Sequence, residues 1–373
     1  MAVTDDLPGI DAHPHARAVL GPVLQGAVGP SHAYLFHGPA GTGKRAVARA
    51  FAAALLADGA RTPATVAERV ARDSHPDLTW VTPSGAAEML VADIEEPVVA
   101  AATRTPFESA RRVFVIESAD AMNDQAANRM LKTLEEPPAF AHLLLLTDRR
   151  EDVLATISSR CQLVRFDPLP WTRIAQGLDG GADGPRARAC ARLALGDAGR
   201  AARLASEEGA ALRARAQEFV RATLAGTTGE RPWIGLLELA KAAGAQAGEL
   251  AQERLAAELE MVPSKERKKY EREGLDARRR GERRARTRTL DLALGLAELW
   301  LRDALCVSEG AGELVYAVDR RAELEQDAQG REPARLREGI ELVGETRLSL
   351  ALNVSEELAL EALAYRLESL LAA

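Results

Sequence analysis

Residues 33–47 read AYLFHGPAGTGKRAV, and no other stretch limits the possible folds as strongly. An apolar run at 33–36 with strand character enters a glycine-rich turn, and Lys44 then opens an alanine-rich segment of helical composition. This is a phosphate-binding loop in its expected setting. Gly38, Gly41 and Gly43 allow the backbone to aim successive N–H groups at a polyphosphate, the helix N-terminus adds partial positive charge, and Lys44 reaches toward the β/γ-phosphates. Gly38, Gly43 and Lys44 satisfy G-x-x-x-x-G-K, but the next position, where a Ser or Thr hydroxyl should hold Mg²⁺, is Arg45. Thr42 precedes the lysine and lies on the wrong side of the turn to replace that hydroxyl. The chain is either a working nucleotide motor or a motor fold kept for another purpose.

The totals exclude several classes. A chain of 373 residues holds two or three domains and a substantial core. An apolar fraction of 47% with 4% aromatics, rich in Ala, Leu, Arg and Glu, predicts a helix-rich soluble protein. The formal charge of −7 argues against a general nucleic-acid coat, although a local basic face can hide inside it. Cys161, Cys190 and Cys306 are far apart and form neither a disulfide framework nor a zinc pair. The acidic N-terminus has no signal-peptide core, and the longest apolar run, residues 50–57, is too short for a bilayer. The expectation is a cytoplasmic protein with no membrane partner.

Taken in order, residues 13–28 have helical spacing and break at Gly29-Pro30. Val47, Phe51 and Leu55 place one face of the helix at 44–56 on a sheet, and residues 57–74 carry no clear pattern. A strand is expected at 78–81, a helix at 93–102 with Pro97 near its first turn, and a buried parallel strand at 113–116. That strand ends in Glu117-Ser118-Ala119-Asp120, where a phosphate-loop ATPase needs an Asp and then a Glu to coordinate Mg²⁺ through water and polarise the attacking water. Glu117 can still face a metal, but Ser118 is no general base. Asp120 is either a remnant of the acidic cluster or a helix-start residue.

A helix at 123–136, capped by Asn123 and stopped by Pro137-Pro138, turns Ala126, Met130, Leu131 and Leu134 inward. Strands at 142–146 and 162–166 flank a short helix at 149–156, completing a doubly wound α/β domain that ends near 167–170. Beyond it, strand signals nearly vanish. A small helical unit at 171–209 precedes a helical region to the C-terminus. There, residues 265–288 hold twelve Lys or Arg against five Asp or Glu, a solvated helix face or a contact for nucleic-acid backbone. The tail, 336–371, repeats Leu, Ala and Val at helical spacing and is expected to offer one apolar face to partner helices.

With those residues in view, the chain resembles the AAA+ clamp-loader subunits of bacterial DNA polymerase III over almost its full length. The resemblance rests on HAYLFHGPAGTGK, SHPDLTWV, VFVIESADAMNDQAANRMLKTLEEPP, LATISSRCQ and LALNVSEELALEALAYRL, with LEEPP followed by SSRC the specific part. It implies an AAA+ α/β P-loop domain with a parallel sheet over 1–168, a small helical lid over 169–212 and an all-α C-terminal oligomerisation collar over 213–373. The Ser-Arg-Cys signature implies that Arg160 acts in trans on a neighbour's ATP site, where a guanidinium contributes roughly 10³ to 10⁵ in rate. The other reading is an ordinary surface ion pair. Cys161 reads as a small buried hydrophobe rather than a nucleophile.

The implied nucleotide-binding set, degenerate in this chain, is Gly38, Gly41, Thr42, Gly43, Lys44, Arg45, Glu117, Asp120, Thr147 and Arg200. Thr147 is a γ-phosphate sensor or simply the polar end of a strand; Arg200 reaches from the lid to nucleotide or is a lid surface charge. Many members of the family carry a zinc-binding cysteine cluster before HPD, and residues 57–74 contain none, so no zinc is expected. No cofactor is certain, with ATP or ADP bound without hydrolysis the open case. The resemblance implies a non-hydrolysing subunit in a hetero-oligomeric ring with gamma/tau and delta subunits, a sliding clamp and, through the assembly, primed DNA. The alternative is an ATP-hydrolysing gamma/tau-like motor.

Overall fold

The computed structural model describes residues 7–60, 62–84, 88–178, 184–261, 267–350, 352 and 354–372. The chain divides into two compact units, one of Met1–Pro170 with Gly196–Ala198, the other of Trp171–Leu195 with Gly199–Ala373.

The first unit is built on five parallel strands, β1 (Ala33–His37), β2 (Leu78–Val81), β3 (Arg112–Ile116), β4 (Ala141–Thr147) and β5 (Gln162–Arg165), in the order β2-β3-β4-β1-β5. Parallel strands covered on both faces must be apolar at every position, which explains the unbroken runs in the sequence. Tyr34, Phe36, Val113, Val115, Leu144 and Leu146 point to one side. There they meet α1 (Pro14–Leu24), α2 (Lys44–Ala57) and α3 (Pro63–Ala71), with Val47, Phe51 and Leu55 of α2 buried as their spacing predicts. Leu35, Phe114, Ile116, Leu143 and Leu145 point to the other side, against α4 (Val91–Ile94), α5 (Asp124–Glu135) and α6 (Ala155–Ser158). Emptying one such position, for example Phe51→Ala, costs about 3–5 kcal/mol.

Several local expectations need correction. Residues 57–74 are not patternless: Pro63 opens α3, which buries Val66 and Val70 one turn apart. A nine-residue helix with only two buried apolar positions gives a weak periodic signal. The helix expected at 93–102 begins at Val91, where the Asp93 carboxylate accepts the Leu90 N–H, and passes into a π-helical stretch, Glu95–Ala100, that contains Pro97. Proline supplies no N–H and its ring crowds the carbonyl four residues back, so the turn widens. The single helix expected at 149–156 is two short turns, Arg150–Asp152 and α6. Helix α1 stops at Leu24, before Gly26 at φ 70°.

The second unit is helical throughout its described residues: α7 (Trp171–Gln176), α8 (Pro185–Leu193), α9 (Ala198–Ala205, its first residue counted with the other unit), α10 (Glu207–Ala225), α11 (Trp233–Met261), α12 (Arg267–Ser308), α13 (Arg321–Ala328), α14 (Pro333–Leu350) and α15 (Glu356–Leu371). Its core gathers Phe219, Trp233, Leu294, Leu301, Val343, Leu360 and Leu367. The apolar face of the tail is therefore spent inside its own unit, a correction to the expectation that it would face partner helices. What α14 and α15 leave outside is a different set, Leu348, Leu358 and Tyr365. Among the described residues, no helix is long and apolar enough to cross a membrane.

At the amino ends of β1 and β4, His32 and His142 stack with ring centroids 5.5 Å apart, and His142 Nδ1 lies 2.9 Å from the Ser31 carbonyl. Burial pushes the His142 pKa down to about 4, against about 6.5 in an unfolded chain. Between those values the unfolded chain takes up a proton that the fold refuses, so stability falls as pH drops from about 6.5 to 4, by at most about 1.4 kcal/mol per pH unit. Hydrogen-exchange protection of the β4 amides should weaken more between pH 7 and pH 5 in the parent chain than in a His142→Gln variant; equal weakening would show that His142 does not set the dependence.

Candidate functional site

The loop between β1 and α2 takes the conformation its glycines permit. Gly38, Gly41 and Gly43 have φ of 145°, 68° and 89°, in a region L side chains rarely enter. Two of them are also needed for space. A Cβ on Gly38 would stand 2.0 Å from the Phe166 carbonyl oxygen, and one on Gly41 would stand 1.6 Å from Asp197 Oδ1. At Gly43, which caps α2, space is open and only the dihedral demands glycine. Thr42 is buried and its Oγ1 donates to the Pro39 carbonyl at 2.9 Å, an internal brace of the loop.

Strand pairing decides what faces this loop. β1 lies between β4 and β5, with His37 opposite Thr147 and Arg165. The carboxyl ends of β1 and β4 therefore meet, and the residue after Thr147, Asp148, stands over the lysine. Lys44 Nζ is 2.8 Å from Asp148 Oδ1 and donates to the carbonyls of Gly38 at 2.5 Å and Pro39 at 2.7 Å. An ammonium has three N–H groups, so all three are engaged. The Lys44 side chain is almost fully buried, and a polyphosphate must displace some of these partners to reach it. Asp148 was missed in the sequence; its only signal was an acid directly after a buried strand.

The neighbouring charges are neutralised in the same way. Arg45 Nε lies 2.8 Å from Glu117 Oε1, and Trp80 Nε1 donates to that same oxygen at 2.5 Å. The acid expected to face a metal thus binds the guanidinium that stands where the metal's hydroxyl ligand belongs. Ser118 adopts φ 54°, ψ 54°, a left-handed turn that ends β3 and opens a short helical turn at Ala119–Ala121. Asp120 is not a helix-start residue alone: Thr147 Oγ1 donates to its Oδ1 at 2.7 Å and accepts the Arg149 N–H at 3.1 Å. The pair Asp120–Thr147 locks the end of β4 to the turn after β3. His37 beside them has its pKa lowered, first by burial and then by Arg150 and other nearby cations.

Arg160 lies elsewhere, between α6 and β5. Its Nη1 donates to the Thr156 carbonyl at 2.8 Å and its Nη2 to Glu135 Oε1 at 2.5 Å. Glu135 belongs to LEEPP, so the two signatures that stood out in the sequence touch each other. The partly exposed pair offers a guanidinium at the surface, held by one carboxylate that is itself exposed. Cys161 packs against the α5-side core, and burial pushes its thiol up to about 12, which leaves it inert as a nucleophile. Arg200 belongs to the second unit and lies beside Gly295 of α12, where an added Cβ would stand 3.7 Å from its Nη2.

The cradle fits a phosphate chain in backbone and charge, while Arg45 offers no hydroxyl and Ser118 no carboxylate to a metal or a water. Replacing Gly38 with Ala should destabilise the α/β unit by about 1–3 kcal/mol, because φ and the Phe166 carbonyl oppose the new Cβ together. A Gly43→Ala variant should lose less. A denaturant titration that ranked them the other way would contradict this geometry.

Residues 26–170 match the family model described as DNA polymerase III, delta subunit. The DNA polymerase III subunit delta' of Pseudomonas aeruginosa is 38% identical over 165 residues, which are 43% of this chain and 50% of that protein. The delta' subunit of Bacillus subtilis is 36% identical over 145 residues, 37% of this chain and 43% of that protein. The tau subunit of Bacillus subtilis is 33% identical over 145 residues, 37% of this chain and 24% of that one. The chain thus spans half or less of the length of the relatives it matches. Over residues 26–170, this chain is similar to the delta-prime subunits of DNA polymerase III.

Proposed function

We propose that the chain is a non-hydrolysing, delta-prime-type subunit of a DNA polymerase III clamp loader, which supplies Arg160 to the ATP site of a neighbouring subunit. In this reading residues 1–168 form the AAA+ domain, 169–212 the lid and 213–373 a collar that joins a ring of gamma/tau and delta subunits. The ring would open a sliding clamp and place it on primed DNA in the cytoplasm.

The observation that carries the reading is the Arg45–Glu117 ion pair. It fills the metal position with a cation, and Ser118 beside it has no proton-accepting carboxylate for the attacking water. Nucleotide bound by Gly38, Gly41, Gly43 and Lys44 without turnover is compatible with this. For Arg160, the exposed Glu135 pair costs little to open, since surface ion pairs are worth about 0–1 kcal/mol. The guanidinium can therefore exchange Glu135 for a γ-phosphate across an interface. The second reading, an ATP-hydrolysing motor subunit with Lys44, Glu117 and Asp120 at the metal and nucleotide, draws on the 33% identity to a tau subunit.

The purified chain should show no ATP turnover above a Lys44→Ala control; hydrolysis that vanishes with Lys44 would favour the motor. In a loader reconstituted with ATPase partners, Arg160→Ala should lower clamp- and DNA-stimulated turnover by about 10³-fold or more at the site it serves, with assembly intact by gel filtration. An unchanged rate would remove Arg160 from the mechanism.

A further inference from the structure

The first part of the long helix α12 packs along α11 and carries a dense run of arginines. Lys265 and Glu266 lie outside the described residues; from Arg267 onward the segment is helical. Many arginines elsewhere in this unit have carboxylate partners, although exposed Arg173 and Arg188 have none among the described residues. Arg213 pairs with Asp319, Arg221 with Asp327, Arg231 with Glu357, Arg302 with Asp303, Arg337 with Glu309 and Arg347 with Asp291 and Glu298. Over residues 272–288 of α12 the matching thins. Arg278 pairs with Glu282 and Arg286 with Glu356, but Arg272, Arg279, Arg280, Arg283 and Arg288 are exposed and have no ion pair or side-chain hydrogen bond among the described residues.

Their spacing concentrates the charge. At ~100° per residue, Arg272, Arg279 and Arg283 fall within ~40° of one another, with Asp276 the one acid in that column. Arg280, Arg284 and Arg288 form a second column one turn apart. Like charges at this spacing disfavour a helix. Arg284 registers this: its pKa is lowered by burial and then by Arg288 and Arg280. A purely solvated face would gain nothing from that repulsion, whereas a polyanion would reverse it.

The surface is also concave. A groove of about 390 Å³ runs between α11 and α12, lined by Lys241, Gly244, Arg278, Arg279, Arg283 and Arg286 among others. Glycines on α11 bring the helices close, since a Cβ on Gly244 would stand 2.8 Å from Arg286 Cγ. Glu249 and Glu282 also line the groove, and Glu282 is already taken by Arg278.

We propose that the exposed arginines of α12 around Arg279, Arg280 and Arg283, with the adjoining groove against α11, are a binding surface for the phosphodiester backbone of nucleic acid. The stretch from Arg272 to Arg288 spans ~24 Å, the axial length of about seven base pairs of duplex at ~3.4 Å of axis per strand charge. The contact reads charge and spacing, not base sequence. It is a property of the chain itself and does not depend on Arg160 or on the fate of nucleotide at Lys44.

The test is fluorescence anisotropy of the full chain with a labelled 30-base-pair duplex and the matching single strand, across a salt series. The duplex should bind, with log K falling linearly against log salt. The triple variant Arg279→Gln, Arg280→Gln, Arg283→Gln should bind more than tenfold more weakly at ~50 mM salt, its slope shallower by about 2.7 for duplex and about 2.1 for single strand. The form that loses both affinity and slope with the triple substitution is the form this surface holds. Glutamine keeps helix propensity, and an unchanged circular-dichroism melt confirms the fold; a variant with Arg279→Gln alone, shifting the slope by about 0.9, serves if the triple does not fold. The proposal is overturned if the parent chain binds neither nucleic acid, if slope and affinity survive the substitutions, or if polyglutamate binds the same arginines more tightly than the duplex, which would make the partner an acidic polypeptide.

Discussion

The placement of β1 between β4 and β5 is the constraint on which the α/β unit depends. Backbone hydrogen bonds on both sides hold the strand in register from Ala33 to His37, and large buried side chains on both faces, Tyr34 and Phe36 one way and Leu35 the other, prevent it from slipping. A slip of one residue would exchange those faces. Because the register is fixed, the chain leaves the sheet at one point, and the loop from Gly38 to Gly43 must turn within the space that Phe166 and Asp197 allow. The same register brings Asp148 over Lys44 and Thr147 against Asp120. The site is thus a consequence of strand order before it is a matter of side chains.

Within that frame the charges satisfy one another. Lys44 is matched by Asp148 and two carbonyls, Arg45 by Glu117, and Asp120 by Thr147 with Arg149 nearby. A buried ammonium without partners would be costly, so the arrangement stabilises the loop in the form it takes by itself. It also sets the terms for nucleotide: phosphate oxygens can replace Asp148 at Lys44, whereas a divalent cation would have to displace the Arg45 guanidinium from Glu117.

Charge also divides the second unit. Its body is a helical core edged by paired arginines, and two acids are buried within it: Asp303 accepts the Tyr316 and Ala317 N–H groups at 2.8 Å each, and Asp327 accepts Trp300 Nε1–H at 2.9 Å. Those groups are satisfied internally and tie chain segments together. On the arm formed by α11 and α12, Arg272, Arg279, Arg280, Arg283 and Arg288 are exposed without ion pairs among the described residues. A net charge of −7 for the whole chain hides this local reversal, because screening over about 10 Å makes an acidic surface elsewhere largely irrelevant to it.

What the sequence by itself determined was the class of fold, the position and type of the strands, and the glycine and lysine positions of the phosphate loop. These are short-range matters: unbroken apolar runs specify strands buried on both faces, and glycine spacing specifies dihedrals. That position 45 carries a guanidinium and position 118 a hydroxyl was legible too. Only the tertiary structure decided that Asp148 faces Lys44, that Glu117 holds Arg45, and that Glu135 of LEEPP holds Arg160, because each pair joins residues far apart in the chain and depends on strand register or helix packing. The same reason accounts for the errors. Helix α3 and the π-helical stretch around Pro97 depend on packing and on one missing hydrogen bond, and the tail's apolar face was visible while the core that covers it was not.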